Sequence, residues 1–420
     1  MGEKFFVKGE KNLKGEIEVK GAKNAALKVF IASILTDQEW LISNVPEIGD
    51  IANEIELLKD LGVKIERLRK GVYKVEAKNI KKKELNSDWV QKIRTSIILA
   101  GPMLARFGKI KLSYPGGCFI GKRPIDLFVE GLTALNVRFK NDQKGFSLET
   151  KGLKGNVFVF PQISVTATEC LMMAGTLAKG RTVLKNAAME PEIVSLANFL
   201  NSCGAKIKGA GTSEIEIEGV KNLTKGIYQT IPDRIETGTF AILAAVTKSE
   251  IKIVNCCPEH LDVFWTVLRK AGVNFELGKN FVLVKPSNNL KPVNVVTHEY
   301  PGFPTDLQPP LTVLLTQAKG LSLIRETIFE GRLFYTDILN QMGANIIMCD
   351  PHRIVVQGPS KLVGRRIVSP DIRAGIALLI AALISKGESV IENIEQIDRG
   401  YEKIEERLQK IGAEIKRIST

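Results

Sequence analysis

Three stretches of this 420-residue sequence combine residue types in ways that suit chemistry. At 114–124, Tyr-Pro-Gly-Gly-Cys-Phe-Ile-Gly-Lys-Arg-Pro sets Cys118 among three glycines, with Lys122 and Arg123 just beyond. Free cysteines are usually small buried hydrophobes, but a glycine-flanked loop buries a side chain poorly, and neighbouring cations favour the reactive thiolate. The stretch reads as an active-site lid carrying a functional thiol. At 298–308, His-Glu-Tyr-Pro-Gly-Phe-Pro-Thr-Asp-Leu-Gln places Asp306 where an apolar helical pattern begins. Spacing alone leaves two readings open: a helix cap made by Thr305 or Asp306, or a general base held in place by rigid prolines. Third, Lys23-Asn24 opens an apolar helix that runs on from Ala25. A cation and an amide at a helix N-terminus make an anion site that the helix dipole reinforces. No P-loop or Rossmann glycine pattern occurs, so ATP and NAD are not indicated.

The elements that must position these residues are written as a repeat. ELLKDLGVKIE, EGLTALNVRFK, NFLNSCGAKIK, TVLRKAGVNFE, DILNQMGANII and ERLQKIGAEIK are six copies of one phrase, spaced about 70 residues apart. Ile51, Ile55, Leu58 and Leu61 in the first copy, and Ile404, Leu408 and Ile411 in the last, recur at helical spacing, which predicts the end of an amphipathic helix. Gly62, Asn136, Gly204, Gly272, Gly343 and Gly412 then supply a left-handed cap. Alternation after the cap (Val63, Ile65; Ala205, Ile207; Ala413, Ile415) predicts a strand. A second phrase upstream in every copy, such as ILTDQEWLISN or ISKGESVIEN, predicts a helix end, a polar turn and a short strand. The unit is an α/β module that must bury its apolar faces against its neighbours. A chain of this length is expected to form two lobes, hence three modules in each. The lid is where one copy departs, because Ser113 to Asn136 is longer than Asn44 to Gly62 or Asn186 to Gly204.

With 44% hydrophobic and 25% charged residues, the composition is that of an ordinary globular protein. A net charge of +13 would suit nucleic acid, acidic lipid or a phosphorylated metabolite. The lysines are scattered, however, and the run Lys81 to Lys83 is followed by Glu84 without interleaved aromatics, so it reads as solvated surface. Cys118, Cys170, Cys203, Cys256, Cys257 and Cys349 form no C-x-x-C pair and no metal-ligand spacing with His260, His298 or His352, and no structural zinc is expected. Residues 1–30 lack the order of a signal peptide, and no apolar run reaches membrane-spanning length. A cytoplasmic protein with reduced thiols is expected.

Taken in order, GAKNAAL, PGGCFIGKRPIDL, PEIVSLANFL, IPDRIETGTF, YPGFPTDLQ and IDRGYEKIEERL closely resemble the motifs of the UDP-N-acetylglucosamine 1-carboxyvinyltransferases, a family of enolpyruvyl transferases, from about Gly15 to Ile415. The resemblance implies a two-lobed inside-out α/β barrel of six repeated units, three per lobe. Residues 21–230 would form the N-terminal lobe with the Cys118 lid, and residues 1–20 plus 231–420 the C-terminal lobe with Asp306 and Arg399. Lys20-Gly21 and Thr230-Ile231 would be the hinge crossings. The implied substrates are phosphoenolpyruvate and UDP-N-acetylglucosamine. The sugar 3-hydroxyl would add to C2 of phosphoenolpyruvate, and the tetrahedral adduct would expel phosphate, the first committed step of peptidoglycan synthesis. No metal or organic cofactor, nucleic acid or membrane partner is implied, and the oligomeric state stays open.

By the same resemblance, Lys23, Arg94, Arg123 and Arg399 would grip the phosphate and carboxylate of phosphoenolpyruvate, and Asn24 would face the nucleotide sugar. Cys118 would act as an acid or assist product release, and would be the target of fosfomycin. Asp306 would take the sugar hydroxyl's proton or the adduct's methyl proton, which turns the open choice at this residue toward catalysis. Arg332 in FEGR and Asp371 in SPDIRAG would support the cleft. Uridine and diphosphate would rest against Arg123, Pro124, Ile125, Asp126, Leu127, Ser164, Val165 and Ile328. Phe128, Gln162 and Thr166 stand where relatives commonly carry His, Lys and Gly. Two rivals remain: the sister transferase acting on shikimate 3-phosphate, which would favour Lys-Ser over Lys-Asn at 23 and 24, and a non-catalytic basic repeat protein binding nucleic acid. The second leaves the lid and Asp306 without a purpose.

Overall fold

All six turn residues that close the repeated helices have positive φ: Gly62 102°, Asn136 72°, Gly204 100°, Gly272 78°, Gly343 102° and Gly412 100°. That left-handed region is costly for most L residues, so the choice of Gly or Asn there is itself a folding instruction. A second set recurs one step upstream. Asn44, Asn186, Asn255 and Asn393 also have positive φ, and each donates its side-chain amide to a backbone carbonyl just past an adjacent parallel strand: Thr230 at 2.8 Å, Phe160 at 2.9 Å, Val19 at 2.9 Å and Ser369 at 2.7 Å.

The computed structural model describes residues 2–81, 84–85, 94–113, 125–142 and 145–419, with Arg94 and Asp142 described by their backbone alone. Among these residues, six sheets arise from the six modules. Five are four-stranded and share one order, in which a parallel strand flanks a central strand, followed by two antiparallel ones. Gly226–Gln229, Glu39–Ser43, Val72–Glu76 and Lys64–Arg69 lie side by side in this way. So do Lys14–Glu18, Glu250–Val254, Phe281–Lys285 and Asn274–Leu277. The remaining sheet, Lys109–Leu112, Gly145–Glu149 and Arg138–Asp142, keeps the order, with Glu84 bridging in parallel to Lys111 where the fourth strand would lie. In the last module the third strand comes from the other end of the chain, because Lys4–Lys8 pairs antiparallel with both Glu388–Glu392 and Glu414–Ile418.

Strand alternation turns one face of each sheet inward: in Glu250–Val254, Ile251 and Ile253 are fully buried between the exposed Glu250 and Lys252. Helices fill the interior, and in Ile372–Ile384 every residue from Arg373 to Leu383 is buried, as expected of a helix surrounded on all sides. Small residues permit that packing. A Cβ on Gly101, in the helix Ala100–Phe107, would fall 2.3 Å from the Cys170 carbonyl oxygen of the helix Val165–Thr176. Gly101→Ala should therefore cost about 1–3 kcal/mol in urea unfolding through overpacking, and an unchanged midpoint would mean that the two helices are not so close.

The described residues fall into two compact units, 2–20 with 232–419 and 21–231, with three sheets and one hydrophobic core in each. Sheets outside and helices inside make each unit the inside-out α/β barrel expected from the sequence. Gly21 stands at one boundary, where a Cβ would lie 1.8 Å from the Asn44 carbonyl oxygen. No described helix is long and apolar enough to cross a membrane.

Candidate functional site

In the unit formed by 2–20 and 232–419, the chemistry gathers around Asp306. The helix Gln308–Leu315 opens on Leu307 with prolines in its first turn, and neither Thr305 nor Asp306 makes a side-chain cap. This overturns the capping alternative: of the amides such a cap would need, Leu307 donates to the Pro304 carbonyl oxygen, Gln308 donates to the Thr305 carbonyl oxygen, and Pro309 has no N–H. Freed from that task, the Asp306 carboxylate accepts from two arginines, Arg332 Nη1 at 2.8 Å on Oδ1 and Arg373 Nε at 2.9 Å on Oδ2. Arg332 also donates to the Thr305 carbonyl oxygen at 2.8 Å, which fixes the turn that carries Asp306.

Arg373 continues the network. Its Nη1 donates to Tyr401 Oη at 3.2 Å, and that oxygen lies 3.1 Å from Thr239 Oγ1. Burial works against the Arg373 cation, but Asp306 and then Tyr401 and Asp233 outweigh it and hold its pKa above the ordinary value. Burial pushes the Tyr401 phenol up to about 12, with Arg373 opposing. Tyr401 is therefore a neutral hydrogen-bonding group at physiological pH. Asp371 is the N-cap of Ile372–Ile384, its Oδ1 accepting from the Arg373 and Ala374 amides at 2.8 and 3.0 Å. It thereby sets the turn from which Arg373 reaches Asp306. Arg399, half-buried, ends the short helix Glu395–Asp398 and donates to Gln396 Oε1 at 3.0 Å. The next residue, Gly400, packs against Ile372 and Arg373.

Ile328 reaches the same network through a buried glutamate. Glu326 Oε1 accepts from the Ile328 amide at 2.8 Å, and its Oε2 accepts from Thr305 Oγ1 at 2.9 Å. Glu326 occupies the place where four other modules carry the left-handed Asn.

In the unit 21–231, Lys23 begins the helix Lys23–Ala32 and pairs with Asp50 Oδ2 at 3.1 Å, Asp50 lying in the first turn of Gly49–Leu61. Asn24 is half-buried, and its carbonyl oxygen accepts from Lys28 Nζ at 3.3 Å. Arg94 starts the 3-10 helix Arg94–Leu99, whose next residue, Thr95, donates to Glu54 Oε2 at 2.6 Å. Ser164 caps Val165–Thr176, its hydroxyl accepting from the Ala167 amide at 3.3 Å. Ile125 precedes Asp126–Ala134; Asp126 is exposed, Ile125, Leu127 and Val165 are half-buried and pack on this unit's core, and Phe128 is inside it. Phe128 at the position of a common His is thus accommodated as a core residue. Cys118, Lys122, Arg123, Pro124 and the Arg94 side chain lie outside the described residues.

The structure therefore brings Asp306, Arg332, Asp371 and Ile328 into one hydrogen-bonded set, and places Lys23, Asn24 and the Arg94 turn on adjoining helices. Sequence reasoning passed over Arg373, Asp50 and Glu326. Arg373 stands two residues after Asp371 inside SPDIRAG, Asp50 in the first turn of the helix that ends in ELLKDLGVKIE, and Glu326 at the one strand end in IRE where Asn or Ser is expected, which was a readable signal. Among the described residues, no group of His, Cys, Asp and Glu has the arrangement of a metal site.

Against known proteins, the family described as EPSP synthase (3-phosphoshikimate 1-carboxyvinyltransferase) matches residues 7–408. UDP-N-acetylglucosamine 1-carboxyvinyltransferase of Koribacter versatilis is 41% identical over 99% of this chain and 96% of its own length. The enzyme of that name from Shigella boydii is 42% identical over 99% of both. Among solved structures, the enolpyruvyl transferase NikO from Streptomyces tendae superposes with a TM-score of 0.90 at 23% identity, covering 100% of this chain and 99% of its own. EPSP synthase from Acinetobacter baumannii superposes at 0.76 with 18% identity over the whole of both chains.

Proposed function

The chain belongs to the EPSP synthase family of enolpyruvyl transferases, and from that premise we propose that it transfers the enolpyruvyl group of phosphoenolpyruvate to the 3-hydroxyl of UDP-N-acetylglucosamine, releasing phosphate. The observation that carries this reading is identity of 41–42% over 99% of the chain to transferases of that name, against 18% to an EPSP synthase. In the addition step, C3 of phosphoenolpyruvate gains a proton while the sugar oxygen bonds to C2 and its hydroxyl proton leaves. In the elimination step, the C2–O bond to phosphate breaks and the new methyl group gives up a proton, leaving an enol ether.

Asp306, oriented through both oxygens, is the proposed proton acceptor. Lys23, Arg94, Arg123 and Arg399 are the proposed grip on phosphate and carboxylate, each charge-assisted bond contributing roughly 1.5–3 kcal/mol. Asn24, Ile125, Asp126, Leu127, Ser164, Val165 and Ile328, with Arg123 and Pro124, are proposed for the nucleotide sugar. Cys118 is the proposed lid thiol and fosfomycin target. We place the reaction in the cytoplasm, at the start of peptidoglycan synthesis and so of cell-wall growth, shape and division. The five described cysteines are free, the state that a reducing compartment maintains.

The deciding assay is phosphate release from phosphoenolpyruvate. It should require UDP-N-acetylglucosamine, ignore shikimate 3-phosphate, and stop after fosfomycin treatment. Cys118→Ala should slow release and lose the fosfomycin response. Release driven by shikimate 3-phosphate instead would move the chain to the sister activity.

A further inference from the structure

Beneath the first turn of the helix Lys23–Ala32 lies a charged cluster that the proposed chemistry does not use. Lys28, Glu54 and Glu169 are 3%, 1% and 0% exposed, in the mainly apolar core of this unit. Lys28 Nζ sits 3.3 Å from Glu169 Oε2 and 3.3 Å from the Asn24 carbonyl oxygen. Glu54 Oε2 accepts from Thr95 Oγ1 at 2.6 Å. Glu54 Oε1 and Glu169 Oε1 are buried without a hydrogen-bond partner among the described residues. Such a cluster is poor cement: a buried ion pair is often replaced by apolar residues of similar volume with no loss of stability, and each unpartnered oxygen costs more. Stability does not account for it.

Its placement does. Lys28 holds the carbonyl of Asn24, next to Lys23. Glu54 stands one turn beyond Asp50, which pairs with Lys23, and it binds Thr95, which follows Arg94. Glu169 lies in the second turn of the helix that Ser164 caps. Each buried group is thus within about one helical turn of a residue proposed to hold substrate. We infer that Lys28, Glu54 and Glu169 are positioning residues for the transfer reaction: together they fix the start of the Lys23 helix, the Arg94 turn and the Ser164 cap in one mutual register, so that cation, amide and hydroxyl meet the anionic substrates preorganised.

The inference rests on the proposed substrate role of Lys23, Asn24 and Arg94. Burial supports it by pushing the Glu54 carboxyl up to about 8, against Thr95 and Lys28, and the Glu169 carboxyl up to about 7, against Lys28. Asp50, Glu190 and Glu192 act in the same direction as burial. Near neutral pH Glu54 then holds its proton and Glu169 stands close to its midpoint, which lessens the repulsion between the two acids beside one ammonium. Preorganisation of this kind raises affinity by removing ordering costs at binding.

The test compares Lys28→Met and Lys28→Met/Glu169→Met with the parent in the phosphate-release assay, with thermal melts alongside. Lys28→Met should raise KM for phosphoenolpyruvate and UDP-N-acetylglucosamine roughly tenfold while kcat changes by less than about threefold, the signature of lost binding rather than lost chemistry. The double variant should regain the parent's melting temperature yet keep the raised KM, because apolar packing restores the core but not the tie to Asn24. A double variant that regains both would reduce the cluster to structure, and an unchanged KM in both would overturn the inference outright. Should Lys28→Met fail to fold, Thr95→Val cuts only the tie to the Arg94 turn, and it should raise KM for phosphoenolpyruvate about fivefold. An unchanged KM there would likewise count against the inference. A parent without UDP-N-acetylglucosamine-dependent turnover would sink the underlying reading and this inference with it, whereas normal variants of an active parent would sink the inference alone.

Discussion

Asp306→Asn should fold like the parent and lose phosphate release by about 10²–10⁴-fold, the usual worth of a positioned general acid or base. The size of the loss follows from how completely the carboxylate is held: Arg332 takes one oxygen and Arg373 the other, and both arginines are 5% exposed. Asp306→Ala is the harsher change. It leaves two buried cations facing each other without a counter-charge, and breaking such a pair costs about 3–5 kcal/mol. The asparagine variant separates the two effects, since its carbonyl oxygen still accepts from one arginine. Phosphate release and a thermal melt should be measured on both. Were Asp306→Asn to turn over at the parent rate, the residue would be a structural anchor for the arginines; were only KM to rise, it would hold substrate without moving a proton.

What the sequence made legible follows from the range of the interaction concerned. The six caps could be read at once because a left-handed residue is a local requirement, and only Gly or Asn meets it cheaply. The module could be read from periodicity, and Asp306 stood out because YPGFPTD interrupts a repeated phrase. Arg373 was hidden for the opposite reason. It lies in the first turn of an apolar helix, where a lone arginine looks like a solvated end, and only the packing of Ile372–Ile384 beside Gln308–Leu315 turns it toward Asp306. Lys28 was hidden in the same way, inside an amphipathic-looking run whose far side meets Glu169 from a helix well over a hundred residues away. Lys4–Lys8 as a central strand of the last module could not be read from spacing either, since strand pairing between chain ends leaves no periodic trace. At Glu326 the signal was local and went unused: a buried Glu at a position that takes Asn in four modules marks where this module was altered to hold the Asp306 turn.

The largest stability effect is expected at the Arg407–Glu236 pair, where either Arg407→Ala or Glu236→Ala should lower the unfolding free energy by about 3–5 kcal/mol in urea titration. The two side chains are 9% and 3% exposed and meet as a fork, Nη1 to Oε1 at 2.6 Å and Nη2 to Oε2 at 2.8 Å, with the guanidinium carbon 4.8 Å from the Phe240 ring centre. Burial opposes the Arg407 charge, yet Glu236, with Glu402 and Glu18, more than offsets it and raises its pKa. An apolar pair such as Arg407→Met with Glu236→Leu would ordinarily restore such a loss in full. Here it should fall short, because the pair also satisfies the backbone where the chain leaves the strand Lys14–Glu18. Arg407 Nη2 donates to the Glu18 carbonyl oxygen at 2.6 Å, and the Lys20 amide donates to Glu236 Oε2 at 3.0 Å. Without the pair those two groups lose their partners, at roughly 1–3 kcal/mol each where water does not reach them. A double variant as stable as the parent would show that the backbone at 18–20 needs no such support; a deficit of a few kcal/mol would explain why a charged pair, rather than a methionine and a leucine, sits where the strand ends.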